Sequence, residues 1–284
     1  FTNMKILITG GNGFLARELA YYFTSNSHTV ITTNRASLDP TNYENTKAFF
    51  EHIEADALIH TAVKGGKRGY QESMQDMIDN LAMFQNLQRF SNKYNLMFNF
   101  GSGAEFNRFK NLNMVKETEI FNSLPPDYYG LSKNIISREI VQNCDNAYNL
   151  RLFGCFGVCE DSQRLFNTTC NRFFNNKEAI LHQDKWMDYF YAQDVGKVIE
   201  HIIKNHSEQN IPKDINLCYE EKHKLSDYIN KIKNLMNVDL GVIIQDNTHA
   251  YSYDGDAQRL KSLNIDLYGL DKGLQECLIK WNKS

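Results

Sequence analysis

A glycine-rich segment near the start of the chain constrains the fold more than any other feature. Met4 to Thr9 is a short apolar run that predicts a buried strand, and Phe14 to Thr24 carries apolar residues at helical spacing. Glycines between a strand and a helix permit a tight turn and let the backbone approach a pyrophosphate, whose negative charge the helix N-terminus favours. The residues that we predict for such a phosphate site are Gly10, Gly11, Asn12, Gly13, Phe14 and Leu15.

The alternation of strand and helix continues along the chain. Further strands are predicted over residues 29–33, 57–63, 96–100 and 149–153, and helices over residues 43–53, 73–94 and 127–143. After about residue 155 the pattern loosens, with helices predicted over 162–175, 192–205, 224–236 and 270–281, and strands near 179–182, 214–218 and 241–244. The β-α-β order of the first half is typical of a parallel, doubly wound sheet.

We therefore predict an α/β Rossmann fold with two parts. Residues 1–155, joined by a return segment at about 188–218, form the dinucleotide-binding domain, and residues 156–284 form a smaller C-terminal α/β lobe that binds the substrate. Ligands of such sheets bind beyond the carboxyl ends of the strands, and we expect the smaller lobe to cover that edge.

Charge and hydropathy exclude two classes of partner. The formal net charge is -3 and no long basic run occurs, so neither nucleic acid nor a membrane surface has electrostatic support. No apolar segment approaches the roughly eighteen residues of a membrane span, and no signal-type segment is visible. The six cysteines form no Cys-x-x-Cys pair and do not cluster with histidines, which predicts reduced thiols, no metal site and a cytoplasmic location.

A tyrosine and a lysine four residues apart carry the chemistry. Tyr129 and Lys133 lie in the predicted helix 127–143, and this spacing places both on one face. An ammonium beside a phenol favours the phenolate, so Lys133 is expected to lower the pKa of Tyr129. Such a tyrosine can exchange a proton with a carbonyl or hydroxyl oxygen while hydride moves at the neighbouring carbon.

The end of the second predicted strand bears on the cofactor. Folds that prefer NAD usually place an acidic residue there to bind the ribose 2′-hydroxyl. This chain instead reads Thr32-Thr33-Asn34-Arg35, and the guanidinium can pair with a 2′-phosphate. We therefore predict NADP(H), with NAD(H) as the alternative.

Taken together, these motifs resemble the extended short-chain dehydrogenase/reductase family, also described as NAD-dependent epimerases/dehydratases. The resemblance runs from Thr9 to about Asp194 and is greatest to the GDP-L-fucose synthases and dTDP-4-dehydrorhamnose reductases. The residues that carry it after the glycine-rich loop are Ile59-His60-Thr61-Ala62, Asn80, Ser102, Tyr129-x-x-x-Lys133 and Arg151-Leu152-Phe153.

The resemblance implies roles for the motif residues. Tyr129 would be the general acid for a sugar carbonyl, Lys133 would hold the nicotinamide ribose, and Ser102 would hydrogen-bond the reacting oxygen. Ala62 and Lys64, in a run similar to that of the fucose synthases, would contact the cofactor. Family members are commonly homodimers that pack the helices corresponding to 73–94 and 127–143, so a homodimer is expected.

Departures from the family pattern narrow the reaction. Sugar dehydratases of this family carry an acid pair directly after the catalytic serine or threonine, where this chain has Gly103 and Ala104, and Glu105 comes one place too late. On an extended chain Glu105 would also point the other way. Fucose synthases use a cysteine at the position of Ala104 and a histidine near Arg164 for epimerisation.

We accordingly predict NADPH-dependent reduction of the 4-keto group of a nucleotide-linked 6-deoxy sugar, without epimerisation, in surface-polysaccharide biosynthesis. Arg164, Arg172 or Lys185 could supply the positive charge that binds the substrate diphosphate, and Trp186 could stack a base or fill the smaller lobe. Asn80 and Glu105 complete the candidate substrate residues, with Asn80 also able to orient the helix backbone or a proton relay. The alternatives are a nucleotide-sugar 4-epimerase that retains NAD and a non-catalytic NADP-sensing protein.

Overall fold

The computed structural model describes residues 3–67 and 69–282, so the outermost residues of both predicted domains lie outside it. In chain order the strands are β1 (Lys5–Thr9), β2 (Thr29–Thr32), β3 (Ala55–His60), β4 (Tyr94–Ser102), β5 (Leu112–Val115), β6 (Ala147–Leu152), β7 (Cys155–Phe156), β8 (Ala179–Leu181), β9 (Phe190–Tyr191), β10 (Asp214–Leu217), β11 (Val242–Ile244) and β12 (Tyr253–Gly255). The α-helices are α1 (Phe14–Ser25), α2 (Tyr43–Phe50), α3 (Met74–Gln88), α4 (Tyr128–Asn143), α5 (Leu165–Phe174), α6 (Ala192–Asn205), α7 (Leu225–Met236), α8 (Gln258–Ser262) and α9 (Leu270–Trp281).

A six-stranded parallel sheet organises the molecule. Its strand order is β10-β6-β4-β3-β1-β2, so the carboxyl ends of all six strands meet at one edge. Helices cover both faces, as parallel strands require. The predicted α/β Rossmann fold is confirmed.

The alternation of side chains along β1 explains why the sheet is covered on both faces. Ile6 and Ile8 belong to a core formed with residues of α1 and α6, whereas Leu7 belongs to a core formed with residues of α3 and α4. Successive strand residues point to opposite faces, so a continuous apolar run needs helices on both sides. Each of these fully buried side chains contributes about 1.5–3 kcal/mol.

The smaller lobe has a separate core. Helices α5, α7 and α9 pack around the parallel pair β8–β11, and Phe166, Tyr228 and Trp281 contribute large buried rings. Strand β10, by contrast, belongs to the large sheet, and α6 contributes to the core on one face of that sheet; both lie within the segment where a return is predicted. No helix in residues 3–67 and 69–282 is long and apolar enough to cross a membrane.

The structure differs from the predicted elements in several places. Helix α3 ends at Gln88, and β4 already begins at Tyr94, where the periodicity predicts continuing helix. The parallel pair β5–β12 was not predicted, because each strand is only a few residues long and its partner is distant in sequence. This pair brings residues 253–255 beside the turn that follows β4.

Candidate active site

The glycine-rich loop has the geometry of an anion site. Gly10 has a φ of +68°, and a Cβ there would lie 2.8 Å from the Ala62 nitrogen. Gly11 N donates to Thr33 O at 2.7 Å, which holds the loop against the end of β2. Among the described residues, no side chain caps α1 at its N-cap, Gly13. The first N–H groups of the helix therefore suit a pyrophosphate, and the loop fits a dinucleotide.

A cleft of about 1400 Å³ runs along the carboxyl ends of the strands. A pocket for one small ligand typically has roughly 300–1,000 Å³, so this cleft has room for a cofactor and a substrate together. The predicted cofactor and catalytic residues that line it are Gly10, Asn12, Gly13, Phe14, Leu15, Arg35, Ala62, Lys64, Ser102, Tyr129 and Lys133.

The predicted catalytic residues converge in this cleft. Ser102 ends β4, and the Asp127 side chain caps α4 by accepting from Gly130 N at 2.8 Å, which places Tyr129 in the first helical turn. Gly66, with a φ of +72°, lies against the Tyr129 ring, because a Cβ there would be 2.7 Å from Cζ. The Lys133 ammonium is buried and donates to Phe100 O at 2.6 Å.

The expectation that Lys133 lowers the pKa of Tyr129 is wrong for this structure. Burial raises the pKa of Tyr129, and a hydrogen bond with Ser102 offsets only part of that effect. Burial also lowers the pKa of Lys133 to about 8. The ammonium lies 6.0 Å from the centroid of the Tyr129 ring and is engaged by Phe100 O. The phenol is therefore protonated at neutral pH, the form that can donate to a carbonyl.

The residues at the cofactor end of the cleft hold one another in place. Arg35 Nε donates to Asp39 Oδ2 at 3.0 Å, and its side chain is 75% exposed. Despite partial burial, hydrogen bonds from Thr41 and Arg35 hold the pKa of Asp39 below its usual value. Lys64 forms an ion pair with Asp79. The positively charged side chain of Arg35 thus lies just beyond the end of β2, beside the cleft.

Four of the six candidate substrate residues, Arg172 among them, lie outside the cleft. Asn80 is buried, and its side chain bonds Lys64 N at 2.8 Å, Lys64 O at 2.9 Å and Ser132 Oγ at 3.2 Å. It fixes the loop after β3 to α3 and α4 and has no face toward a substrate. The prediction that Asn80 binds the substrate is therefore wrong. The alternative prediction, that Asn80 orients the backbone, agrees with these hydrogen bonds.

The prediction that Glu105 is a substrate residue is also wrong, because the chain after Ser102 is not extended. Residues Gly103–Phe106 form a 3₁₀ turn that directs the Glu105 carboxylate back into the protein. It accepts from Ser102 N at 2.8 Å and pairs with Arg151 Nε at 2.8 Å, with both side chains 0% exposed. Glu105 therefore supports the serine from behind and cannot contact a substrate.

The fourth candidate substrate residue outside the cleft is Trp186. Its side chain is 42% exposed and lies outside the cleft, with the Lys224 ammonium 5.6 Å from the ring centroid. Alternation along this extended segment turns Lys185 and Met187 into the cleft and Trp186 away from it. Neither base stacking nor core packing describes this residue.

Arg164 and Lys185 do line the cleft, at different places. The Arg164 guanidinium lies 4.7 Å from the Phe14 ring centroid and donates to Cys155 O at 2.7 Å, beside the glycine-rich loop. The Lys185 ammonium lies 5.6 Å from the ring centroid of Tyr253, near the catalytic residues.

Sequence reasoning missed several residues around Tyr129. Arg108 lies 5.8 Å from the Tyr129 ring centroid and pairs with Glu72 at 2.8 Å and Asp127 at 2.9 Å. Glu72 also accepts from Tyr129 N at 3.1 Å. The hydroxyl of Tyr253 lies 3.2 Å from Ser102 Oγ. An acidic N-cap before the tyrosine helix is visible in the sequence, but no local pattern marks its distant partners.

The sheet order, together with a tyrosine and a lysine on the helix beside β4, defines an extended short-chain dehydrogenase/reductase. The chain belongs to the NAD dependent epimerase/dehydratase family, whose family model matches residues 6–218. The predicted family is thereby confirmed. Among curated proteins, none matches this chain in sequence.

Solved structures of similar fold include both reductases and epimerases. A GDP-mannoheptose C4 reductase from Campylobacter jejuni, with NADP bound, is 18% identical with a TM-score of 0.82, over 100% of this chain and 99% of that one. A GDP-D-glycero-L-gluco-heptose synthase from the same organism, solved in the presence of NADPH, is 16% identical with a TM-score of 0.81 and the same coverage. UDP-glucose 4-epimerase from Thermus thermophilus, in complex with NAD, is 14% identical with a TM-score of 0.78, over 99% of this chain and 100% of that one.

Proposed function

We propose that this protein is an NADP(H)-dependent oxidoreductase that reduces the 4-keto group of a nucleotide-linked 6-deoxy sugar, in surface-polysaccharide biosynthesis. The observation that carries the proposal is the meeting of Ser102, Tyr129 and Lys133 in one cleft that also contains the glycine-rich loop. A protonated phenol beside a hydroxyl supplies the proton and the hydrogen bond that a carbonyl oxygen needs as its carbon is reduced. The similar GDP-mannoheptose C4 reductase supports the choice of reaction.

Each of the three residues has a distinct part in the proposed reaction. The nicotinamide would supply the hydride. Tyr129 gives its proton to the carbonyl oxygen, and Ser102 donates a hydrogen bond to the same atom. The Lys133 ammonium has three donors, one of which goes to Phe100 O, and the others suit the hydroxyls of a nicotinamide ribose.

The chain next to Ser102 argues against chemistry at C3, C5 or C6. Epimerisation or dehydration there requires an acid or base that can reach the carbon-bound hydrogen. Gly103 and Ala104 offer none, and Glu105 is buried in its ion pair with Arg151. We therefore propose reduction without epimerisation.

A 4-epimerase that retains NAD is the second candidate, because the similar Thermus thermophilus enzyme was solved with NAD. Such an enzyme would use the same tyrosine and lysine with no net oxidation or reduction. The position of Arg35 favours NADP(H) instead. The gathering of Ser102, Tyr129 and Lys133 in one site also argues against a protein that senses NADP without catalysis.

The direct test is a panel of GDP-, UDP-, CDP- and dTDP-linked 4-keto-6-deoxy sugars incubated with the protein and NADPH. We expect at least one sugar to cause loss of the NADPH absorbance band, with one 4-hydroxy product. An epimerase would instead be purified with bound NAD and would convert a 4-hydroxy nucleotide sugar without added NADPH. That outcome would contradict the proposed reductase.

Cofactor preference should depend on Arg35. Replacing Arg35 with serine removes the charge proposed to pair with the 2′-phosphate, so the Kd for NADPH should rise by about 10- to 100-fold. The Kd for NADH should stay within about twofold, since NADH has no such phosphate. Arg89→Ser is the matched control, because Arg89 is exposed and stacks on Tyr43 away from the cleft. Equal loss of both cofactors in Arg35→Ser would count against this assignment.

We further propose a homodimer that packs α3 and α4 of two copies. These helices lie side by side, and their outer surface exposes Met74 (56%), Ile78 (46%) and Ile135 (41%). We expect light scattering to give twice the 33.0 kDa chain mass at micromolar concentration. Ile78→Glu should shift the mass toward that of the monomer, and a monomeric wild-type protein would refute the dimer.

A further inference from the structure

A tyrosine from the C-terminal part of the chain reaches the serine of the candidate active site. Tyr253 opens β12 and lines the cleft, and its hydroxyl lies 3.2 Å from Ser102 Oγ, although the two residues are 151 positions apart. The next residues anchor this strand, because Asp254 accepts from Met114 N at 2.6 Å and Gly255 N donates to Asp188 at 2.8 Å. The phenol is therefore held in place from both sides of the strand.

The glycine after Ser102 is explained by this phenol. A Cβ on Gly103 would lie 2.7 Å from Tyr253 Cζ and 2.5 Å from Phe153 Cδ1, closer than side-chain carbons can approach. The Phe153 and Tyr253 rings meet edge to face at 5.4 Å between centroids. Gly103, which departs from the family pattern, thus leaves room for the phenol of Tyr253, a residue from a distant part of the chain.

The hydrogen bonds of Ser102 indicate what this hydroxyl does. A serine hydroxyl has one hydrogen to donate and two lone pairs that accept. Ala104 N donates to Ser102 Oγ at 3.2 Å and so occupies one lone pair. When Tyr253 donates to the other, the serine hydrogen is left to point toward the Tyr129 side of the cleft, where the substrate oxygen is proposed to bind.

We propose that Tyr253 is a positioning residue that donates to Ser102 Oγ and thereby directs the serine hydrogen at the substrate carbonyl. Burial raises the pKa of Tyr253, which keeps its hydrogen in place for this bond. The inference rests on the proposed function, since it assigns a further residue to the same reaction. It also makes the site depend on the C-terminal segment, because Tyr253 lies in β12.

Kinetics test the catalytic part of the inference. Tyr253→Phe keeps the ring, and it should lower kcat by about tenfold or more, somewhat less than the 10²–10³ of a donor that touches the reacting oxygen. The KM for the sugar and the Kd for NADPH should stay within about twofold. Combining Tyr253→Phe with Ser102→Ala should be no slower than Ser102→Ala alone, because Tyr253 acts through the serine. Tyr268→Phe, which removes a hydroxyl elsewhere in the C-terminal part of the chain, should behave as wild type.

Two kinetic results would overturn the inference. One is a Tyr253→Phe enzyme whose kcat remains within about twofold of wild type. The other is a double variant in which the two losses multiply, since Tyr253 would then act independently of Ser102. Both comparisons require a wild-type enzyme that reduces one of the 4-keto sugars.

A spectroscopic measurement tests the hydrogen bond between Tyr253 and Ser102 without any substrate. In protein labelled with ¹³Cζ-tyrosine, the resonances of Tyr129 and Tyr253 are assigned by their loss in the two phenylalanine variants. Ser102→Ala should shift both resonances and leave that of Tyr268 in place. If the Tyr253 resonance does not move, the inference fails, whatever the protein reduces. If the wild-type protein reduces no sugar while Tyr253 does shift, the proposed function fails and the contact with Ser102 stands.

Discussion

Replacing Tyr129 with phenylalanine should lower turnover by roughly a thousandfold, because a general acid in the transition state typically contributes 10²–10⁴-fold. The ring stays the same size, so it still packs against Gly66 and the loop around it is undisturbed. The Kd for NADPH, measured by fluorescence titration, should therefore change little. The expected variant binds its cofactor and reduces no sugar at a useful rate.

The neighbouring tyrosine provides a matched control. Tyr128 lies in the same helical turn but is 37% exposed and outside the cleft, so Tyr128→Phe removes an equal hydroxyl from the same helix. Its kcat should equal that of the wild type. Retention of more than a tenth of wild-type turnover in Tyr129→Phe would show that another group supplies the proton.

The second large effect concerns stability at the ion pair behind Ser102. Glu105→Gln leaves the fully buried Arg151 guanidinium without one of its acidic partners, and breaking a buried ion pair in this way costs about 3–5 kcal/mol. Although burial alone would lower it, Glu105 and Asp214 hold the pKa of Arg151 above its ordinary value, so the arginine stays charged and needs this partner. Urea denaturation should show the loss as a lower midpoint.

An exposed ion pair provides the control for the buried one. Glu54 pairs with Lys93 at 3.0 Å and has a side chain that is 74% exposed, so Glu54→Gln should change the free energy of unfolding by at most about 1 kcal/mol. The two variants make the same chemical change in opposite environments. Equal effects in both would mean that Glu105 is not the buried support that the structure describes.

Local patterns in the sequence were enough to predict the fold, the glycine-rich loop and the positions of Tyr129 and Lys133. The run from β1 through the glycine-rich loop into α1 follows from apolar periodicity and from the backbone freedom of glycine. The i, i+4 spacing of Tyr129 and Lys133 placed both on α4, and Ser102 followed from the resemblance. The loop and the pair on α4 depend on neighbours in sequence, which is why they could be predicted, whereas Ser102 needed the comparison with a known family.

The remainder depends on contacts between distant segments. Tyr253 and Arg108 reach Ser102 and Tyr129 only through the tertiary fold, and no nearby residue marks either one. Glu105 was misplaced because a 3₁₀ turn replaces the expected extended chain. The direction of the Tyr129 pKa shift was also wrong, since burial outweighs the charge of a lysine whose ammonium faces a backbone carbonyl.

The central claim is that hydride passes to C4 of a keto sugar. It is tested most directly by NMR of the product formed with NADPH that carries deuterium at both positions of the nicotinamide C4, using the sugar that the panel identifies. We expect one deuterium at C4 of the sugar, beside a new hydroxyl, and unchanged hydrogens at C3 and C5. A product without deuterium at C4, or one altered in configuration at C3 or C5, would contradict the account.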